Sequence, residues 1–114
     1  RRDIPNYFIS TIEQACEIID LVDSNNIKLI FDFYHIHINQ GDLMTKIENY
    51  LSFIGHFQIA SLPYRNEPID GEINYSWIIP EIDKLGYSGY SGAEYRPKST
   101  TDKGISWLKD FQSF

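Results

Sequence analysis

The chain has 114 residues, a formal net charge of −6 and one cysteine. This length suits a single domain, and the negative charge argues against a simple nucleic-acid binder. Aromatic residues make up 15 % of the chain, which supplies core-forming material and argues against disorder. No apolar run approaches the roughly 20 residues that span a bilayer. We therefore expect no nucleic-acid partner, no membrane partner and a cytoplasmic location.

A first helix is predicted from about residue 10 to residue 23. Ser10 and Glu13 have the spacing of a capping box, in which a serine is followed three residues later by a glutamate. Apolar side chains then recur at helical spacing and predict the buried face, which comprises Ile12, Cys16, Ile19 and Val22. The single cysteine cannot form an internal disulfide, and we expect it to pack in the core.

Three short apolar segments predict β-strands, over residues 27–33, 56–60 and 89–95. The first is a nearly continuous apolar run, which predicts a strand buried on both faces. Helical patterns follow over residues 42–54, 76–85 and from about residue 99, with Gly55 and Gly86 as expected stops for the first two. The last helix is predicted to bury Ile105, Leu108 and Phe111. Residues 35–41 and 61–74 are predicted loops, and the length of the second favours a functional role.

The order of elements predicts an α/β fold in which three parallel strands alternate with four helices. An eight-stranded βα barrel needs roughly 200 residues or more. If the sheet belongs to such a TIM barrel, residues 1–114 form the C-terminal part of that single domain, beginning just after its fifth strand. On this hypothesis the chain needs the N-terminal half of the barrel, since three strands alone leave two edges and an apolar face exposed.

Polar residues stand at the end of each predicted strand: Asp32, Gln58 and Glu94. The carboxyl ends of parallel strands meet at one mouth of a βα barrel, so these side chains are expected to converge. Their hard oxygen atoms suit Mg²⁺ or Mn²⁺. A metal there could hold a hydroxy-carbonyl substrate, and a neighbouring carboxylate could move a proton between adjacent carbons. The alternative is simpler, because an aspartate at a strand end is commonly a solvated or capping residue.

Five motifs, in order and in register, resemble the hydroxypyruvate isomerase family within the xylose-isomerase-like TIM barrels. They are residues 31–35 (FDFYH), 56–60 (HFQIA), 65–68 (RNEP), 71–75 (GEINY) and 92–97 (GAEYRP). The resemblance covers nearly the whole chain. It implies a divalent cation site with four ligands from strands five to eight, of which Asp32, Gln58 and Glu94 match those on strands six, seven and eight. Glu94 also matches the second of two catalytic glutamates, and the first is expected upstream of Arg1.

The resemblance also implies two substrate-binding residues. His35 matches a residue that contacts substrate oxygen, although a lone histidine is more often a surface or loop residue. Arg65 matches a loop arginine whose planar fork suits a carboxylate, and its alternative is a solvated loop charge. For Glu67 we expect an anchor for the loop rather than a substrate contact.

The implied reaction converts hydroxypyruvate, a small hydroxy-keto acid, to 2-hydroxy-3-oxopropanoate (tartronate semialdehyde). A 2-oxo-tetronate isomerase, or a related sugar isomerase or epimerase, is an alternative within the same class. A metal-dependent nuclease resembling endonuclease IV would need many histidine ligands and a basic surface, which three histidines and a charge of −6 do not favour. A non-catalytic partial barrel is the third alternative.

Overall fold

The computed structural model describes residues 2–111, in which short helices alternate with a three-stranded sheet. The elements in chain order are α1 (Ile12–Val22), β1 (Leu29–Asp32), α2 (Phe33–Asn39), α3 (Leu43–Tyr50), a 3-10 helix (Leu51–Phe53), β2 (Ile54–Ile59), α4 (Tyr75–Lys84), β3 (Ser91–Ala93), α5 (Thr101–Gly104) and α6 (Leu108–Phe111). In this part of the chain, no helix combines the length and apolar character needed to cross a membrane.

The three strands are parallel and lie in the order β1-β2-β3, as predicted. Asp32 pairs with Gln58, and Gln58 pairs with Gly92. Helix α3 lies on the connection from β1 to β2, and α4 on the connection from β2 to β3. This is the βαβαβ arrangement of a parallel α/β sheet.

The core lies on one face of the sheet. Phe31 of β1 and Phe57 of β2 have fully buried side chains, and their ring centres are 5.5 Å apart. Phe33 packs edge-on against Phe31 at 5.1 Å and against Tyr75 at 5.4 Å. The clustered rings fix the sheet against α2 and α4 by removing a large apolar area from water.

The other face of the sheet is open within residues 2–111, as predicted for three strands alone. In this part of the chain β1 is therefore covered on one face, and not on both as its apolar run predicts. Ile30, which points away from Phe31, is 55 % exposed. His56 and Gln58 are on the same face as Ile30 by strand alternation, and both are partly exposed. An apolar run therefore identified the strand but did not reveal which side of it is covered.

The N-cap of helix α1 is Thr11, one residue after the predicted Ser10, and its capping box is formed by other residues. The Thr11 hydroxyl accepts from the Gln14 backbone N–H at 3.2 Å, and the Gln14 side chain accepts from the Thr11 backbone N–H. Glu13 instead contacts Gln40 and Lys46. Cys16 is buried, as predicted.

Two predicted boundaries between the first strand and the second are also wrong. Residues 35–41 were expected to be a loop, but α2 runs through Asn39 because Asp32 caps it and Phe33 and Tyr34 anchor it in the core. Gly55 does not end a helix; it lies within β2. A Cβ atom there would lie 2.6 Å from the Lys28 Cβ, so the close approach of these segments requires glycine.

The C-terminal helix is divided, which corrects the predicted apolar face. Ile105 and Leu108 are exposed, whereas Trp107, between α5 and α6, is buried. Its indole N–H donates to the Tyr95 hydroxyl at 3.1 Å, which in turn donates to the Gly104 carbonyl at 2.7 Å. Gly86 ends α4 as predicted, in a left-handed conformation with φ of +86°.

Candidate functional site

The three residues predicted at the strand ends lie on the same face of the sheet. Asp32 and Gln58 are direct partners across β1 and β2. Glu94 follows β3 and is two residues beyond Gly92, so strand alternation places it on the face of Gln58. Its backbone N–H donates to the Ile59 carbonyl at 3.2 Å, which continues the β2–β3 pairing to this position.

Asp32 occupies the turn from β1 into α2. Its Oδ1 accepts from the His35 backbone N–H at 3.2 Å, so it is the N-cap of α2. The capping alternative considered from sequence therefore describes a real contact. Burial raises the pKa of the Asp32 carboxyl, opposed by the His35 N–H and by the charges of His35 and Arg65. A partly buried carboxylate near a positive charge is a typical feature of functional sites.

Arg65 lies beside Glu94. One guanidinium nitrogen of Arg65 is 3.3 Å from a Glu94 carboxylate oxygen, with the Glu94 side chain 58 % exposed and that of Arg65 19 % exposed. Arg65 has a left-handed backbone with φ of +60°, and its N–H donates to the Ser61 carbonyl at 3.0 Å. The loop therefore turns sharply and presents the arginine to the end of β3.

The loop that carries Arg65 is anchored by Glu67. Both carboxylate oxygens of Glu67 accept from the Lys98 backbone N–H, at 3.0 and 3.3 Å, and the residue is 8 % exposed. The Asn66 amide donates to the Arg96 carbonyl at 2.8 Å. Glu67 thus ties this loop to the segment after β3, as expected from sequence.

His35 lies in the first turn of α2 and is partly buried. Its ring packs edge-on against Tyr34, with ring centres 5.3 Å apart. His35 and Asp32 both line a cavity of about 130 Å³ between α1 and α2. His35 also lines a second cavity, of about 240 Å³, with Ile4 and Tyr7. The structure thus brings Asp32 to His35 and Arg65 to Glu94, while neither cavity is lined by Glu94 or Arg65.

Two residues at the site were missed from sequence. The guanidinium carbon of Arg65 lies 5.1 Å from the centre of the Tyr34 ring, and that of Arg2 lies 5.5 Å from it. Tyr34 lies between the predicted strand and the predicted loop over residues 35–41, and Arg2 is far from Tyr34 in sequence. No local pattern indicates either contact.

The oxygen set fits a hard divalent cation but does not complete its coordination. Asp32, Gln58 and Glu94 offer two carboxylates and one amide oxygen from the same sheet face, which suits Mg²⁺ or Mn²⁺. Across residues 2–111, no three His, Cys, Asp or Glu side chains are grouped closely enough to hold a metal. A cation here would therefore need further ligands, either water or other side chains.

Known proteins are similar to this chain in both sequence and fold. The 2-oxo-tetronate isomerase of Cupriavidus necator is 42 % identical over 110 residues, covering 96 % of this chain and 42 % of that protein. The hydroxypyruvate isomerase of Escherichia coli K12 is 37 % identical over 110 residues, with 96 % and 43 % covered. The chain thus spans about two fifths of the length of these curated relatives.

A solved structure matches the fold over the same range. The crystal structure of an AP endonuclease, family 2, from Brucella melitensis superposes with a TM-score of 0.91 at 36 % identity, covering 96 % of this chain and 43 % of that one. Residues 3–111 match the family described as xylose isomerase-like TIM barrel. With its parallel βα units and the strand-end residues on one sheet face, the chain belongs to the xylose isomerase-like TIM barrel family.

Proposed function

We propose that this chain supplies the strand-six to strand-eight part of the active site of a hydroxypyruvate isomerase. The observation that carries the proposal is the Arg65–Glu94 pair, 3.3 Å apart, on the sheet end where Asp32 and Gln58 are paired. A base and a carboxylate-binding group side by side suit a substrate that carries its reacting carbon close to a carboxylate.

The reaction moves one hydrogen between neighbouring carbons. A base removes a proton from C3 of hydroxypyruvate, and the C–H electron pair becomes the C2–C3 double bond of an enediol. The electron pair of the C2 carbonyl moves to its oxygen, which takes up a proton and becomes a hydroxyl. The C3 hydroxyl releases a proton and becomes the aldehyde carbonyl, while the C2–C3 double-bond pair takes up the proton from the base at C2. Atoms and electrons balance without an oxidant or reductant.

Glu94 is the proposed proton carrier. Its carboxylate is exposed and therefore accessible to a substrate, and general acid–base transfer requires it to lie within hydrogen-bond reach of the moving proton. Arg65 is proposed to bind the substrate carboxylate, which would compete with Glu94 for the guanidinium. His35, in the cavity that Asp32 also lines, is proposed to hydrogen-bond a substrate oxygen.

Asp32, Gln58 and Glu94 are the proposed ligands for Mg²⁺ or Mn²⁺. A divalent cation at this position would polarise the substrate carbonyl and so make the neighbouring C–H more acidic. The α2 cap holds Asp32 in place for this purpose, and the strand pairing holds Gln58 beside it. A further glutamate from another strand is proposed to complete the site, in keeping with the family resemblance.

A 2-oxo-tetronate isomerase is the second candidate, because relatives with that name match at 42 % and 45 % identity. The chemistry is the same class, and the substrate is a longer hydroxy-keto acid that keeps the carboxylate for Arg65. A nuclease is less favoured despite the name of the Brucella structure. The net charge of −6 and the scarcity of histidine do not suit a zinc-dependent DNA enzyme.

The test is Glu94→Gln in the complete protein, assayed with hydroxypyruvate and Mg²⁺ or Mn²⁺. Glutamine keeps the shape but loses the basicity and the charge, so we expect kcat to fall by about 10²–10⁴. Solvent deuterium incorporation into the substrate should fall in parallel. The matched control is Glu81→Gln, since Glu81 pairs with Lys84 on α4 and should leave both rates unchanged.

Near-normal turnover and exchange in Glu94→Gln would show that Glu94 is not the proton carrier. Comparison of kcat/KM for hydroxypyruvate and 2-oxo-tetronate separates the two candidate substrates. Turnover of neither acid by the metal-loaded wild-type protein would refute the proposed function.

A further inference from the structure

Tyr34 contacts arginines from two distant segments of the chain. The guanidinium carbon of Arg65 lies over its ring at 5.1 Å, and that of Arg2 lies 5.5 Å from the ring centre. Arg2 Nη2 also donates to the Tyr34 hydroxyl and, at 2.9 Å, to the Pro63 carbonyl. One tyrosine therefore joins the first residues of the chain, the first turn of α2 and the loop before Arg65.

Burial and the capped helical turn fix the position of the Tyr34 side chain. The residue is only 3 % exposed, and it lies in the helical turn that Asp32 caps. A side chain this buried offers almost no surface to a substrate. Its ring offers instead a rigid face for the Arg65 guanidinium, whose N–H groups lie in its own plane and stay available around its edge.

Resting on the function proposed above, we propose that Tyr34 is a positioning residue that orients Arg65 for a substrate carboxylate, and that Arg2 locks Tyr34 through its hydroxyl. The turn that holds Asp32, a candidate metal ligand, also carries Tyr34, and on this proposal Tyr34 orients Arg65. The consequence is selectivity for substrates with a carboxylate beside the carbonyl over uncharged substrates of the same size.

The charge-specific test compares hydroxypyruvate with dihydroxyacetone, in which a hydroxymethyl group replaces the carboxylate. In the complete metal-loaded protein, Tyr34→Leu removes the ring and should raise KM for hydroxypyruvate about tenfold with kcat changed less than about twofold. The KM of dihydroxyacetone, or its inhibition constant if it does not turn over, should change by less than about twofold.

The locking role of Arg2 is tested by a double-mutant cycle. Tyr34→Phe and Arg2→Gln each break the hydroxyl contact but keep the ring, so each should raise KM for hydroxypyruvate about threefold. The double variant should raise KM by clearly less than the product of the two single effects, because both changes remove the Arg2–Tyr34 hydroxyl contact. The control is Tyr64→Leu. Tyr64 is next to Arg65 in sequence but 77 % exposed, so this variant should leave the KM of both substrates unchanged.

Nuclear magnetic resonance of ¹⁵N-arginine-labelled protein measures the placement without any activity. The Arg65 Nε–H signal should be shifted upfield by the Tyr34 ring. The shift should remain in Tyr34→Phe and disappear in Tyr34→Leu.

If the wild-type protein turns over no hydroxypyruvate, the proposed function fails, while this spectrum still decides whether Tyr34 positions Arg65. If Tyr34→Leu does not fold, the KM values of Tyr34→Phe and Arg2→Gln for hydroxypyruvate test the proposal instead. An unshifted wild-type signal, equal losses for both substrates, or additive effects in the cycle would overturn the proposal.

Discussion

Asp32 caps α2 and is also a proposed metal ligand, and these two roles make different demands on its carboxylate. As the N-cap of α2 it needs one acceptor oxygen, which an asparagine also provides. As a proposed metal ligand it needs a negative charge. Burial raises the pKa of Asp32, because the loss of solvation disfavours the negative charge in the folded state.

We therefore expect Asp32→Asn to separate the two roles. The variant keeps the cap and removes a partly buried charge, so its unfolding free energy in metal-free buffer should equal or exceed that of the wild type by up to about 1 kcal/mol. Added Mg²⁺ or Mn²⁺ should stabilise the variant less than the wild type, because the stabilisation by a ligand falls as its Kd rises. Denaturant titrations with and without metal measure both effects.

Asp32→Ala is the control for the cap, and its loss should cost about 1 kcal/mol. If Asp32→Asn were as unstable as Asp32→Ala, the cap would depend on charge. If it kept the full stabilisation by metal, Asp32 would not be a ligand.

At the scale of elements, the sequence predicted the parallel strands and α4 but not α2. Residues 33–39 alternate aromatic, histidine and isoleucine side chains, a pattern with no helical period. The segment is helical because Asp32 caps it and because Phe33 and Tyr34 are buried, which are tertiary facts. Asp32, Gln58 and Glu94 were identified as candidates because strand ends are visible in sequence, and His35 and Arg65 because of the family resemblance. The Tyr34 contacts depend on the helix α2, which the sequence pattern did not predict.

Glu67 links two elements, and its removal should loosen the loop that carries Arg65. Glu67→Ala leaves the Lys98 N–H without its acceptor, and a hydrogen bond to a charged group contributes about 1.5–3 kcal/mol. We expect a destabilisation of that size in denaturant unfolding, with faster hydrogen exchange over residues 61–74. Asp70→Ala, exposed in the same loop, is the control and should change neither. An equal loss in both variants would contradict an anchoring role for Glu67.

Tyr75 joins α4 to the end of β2, since its hydroxyl donates to the Ala60 carbonyl at 2.8 Å and accepts from the Ala60 N–H at 3.2 Å. Burial raises the pKa of Tyr75 above its usual range. Above the unfolded value of about 10, the unfolded chain releases this proton and the folded chain keeps it. The folded state then binds more protons, so stability is complete below pH 10 and falls as the pH rises further.

Tyr75→Phe removes both the hydrogen bonds and this alkaline loss. The variant should be less stable than the wild type at pH 7 by about 1 kcal/mol, and the difference should shrink above pH 10. Urea titrations from pH 7 to 11 measure it, with the exposed Tyr64→Phe as the control that shows no such convergence. A difference that stays constant up to pH 11 would mean that Tyr75 ionises normally in the folded state.

At the scale of the whole molecule, helices cover only one face of the sheet within residues 2–111. Phe31 and Phe57 are sealed by helices, whereas Ile30 faces outward at 55 % exposure. Strands β1 and β3 each pair with β2 alone in this range. The sequence predicted this incompleteness from strand count and length. It could not show which sheet face is covered, because that depends on packing between distant segments.

The last prediction is that a polypeptide of residues 1–114 alone does not isomerise hydroxypyruvate. Its proposed metal site offers two carboxylates and one amide, and the resemblance places a further ligand and catalytic glutamate on another strand. Its unpaired edges and open apolar face should promote association. Expressed alone, it should elute as aggregate in size-exclusion chromatography and show no turnover with Mg²⁺ or Mn²⁺, whereas the complete protein is active in the same assay. Robust turnover by a monodisperse monomer would show that these three strands form a sufficient active site, and the barrel-based assignment of its ligands would have to be abandoned.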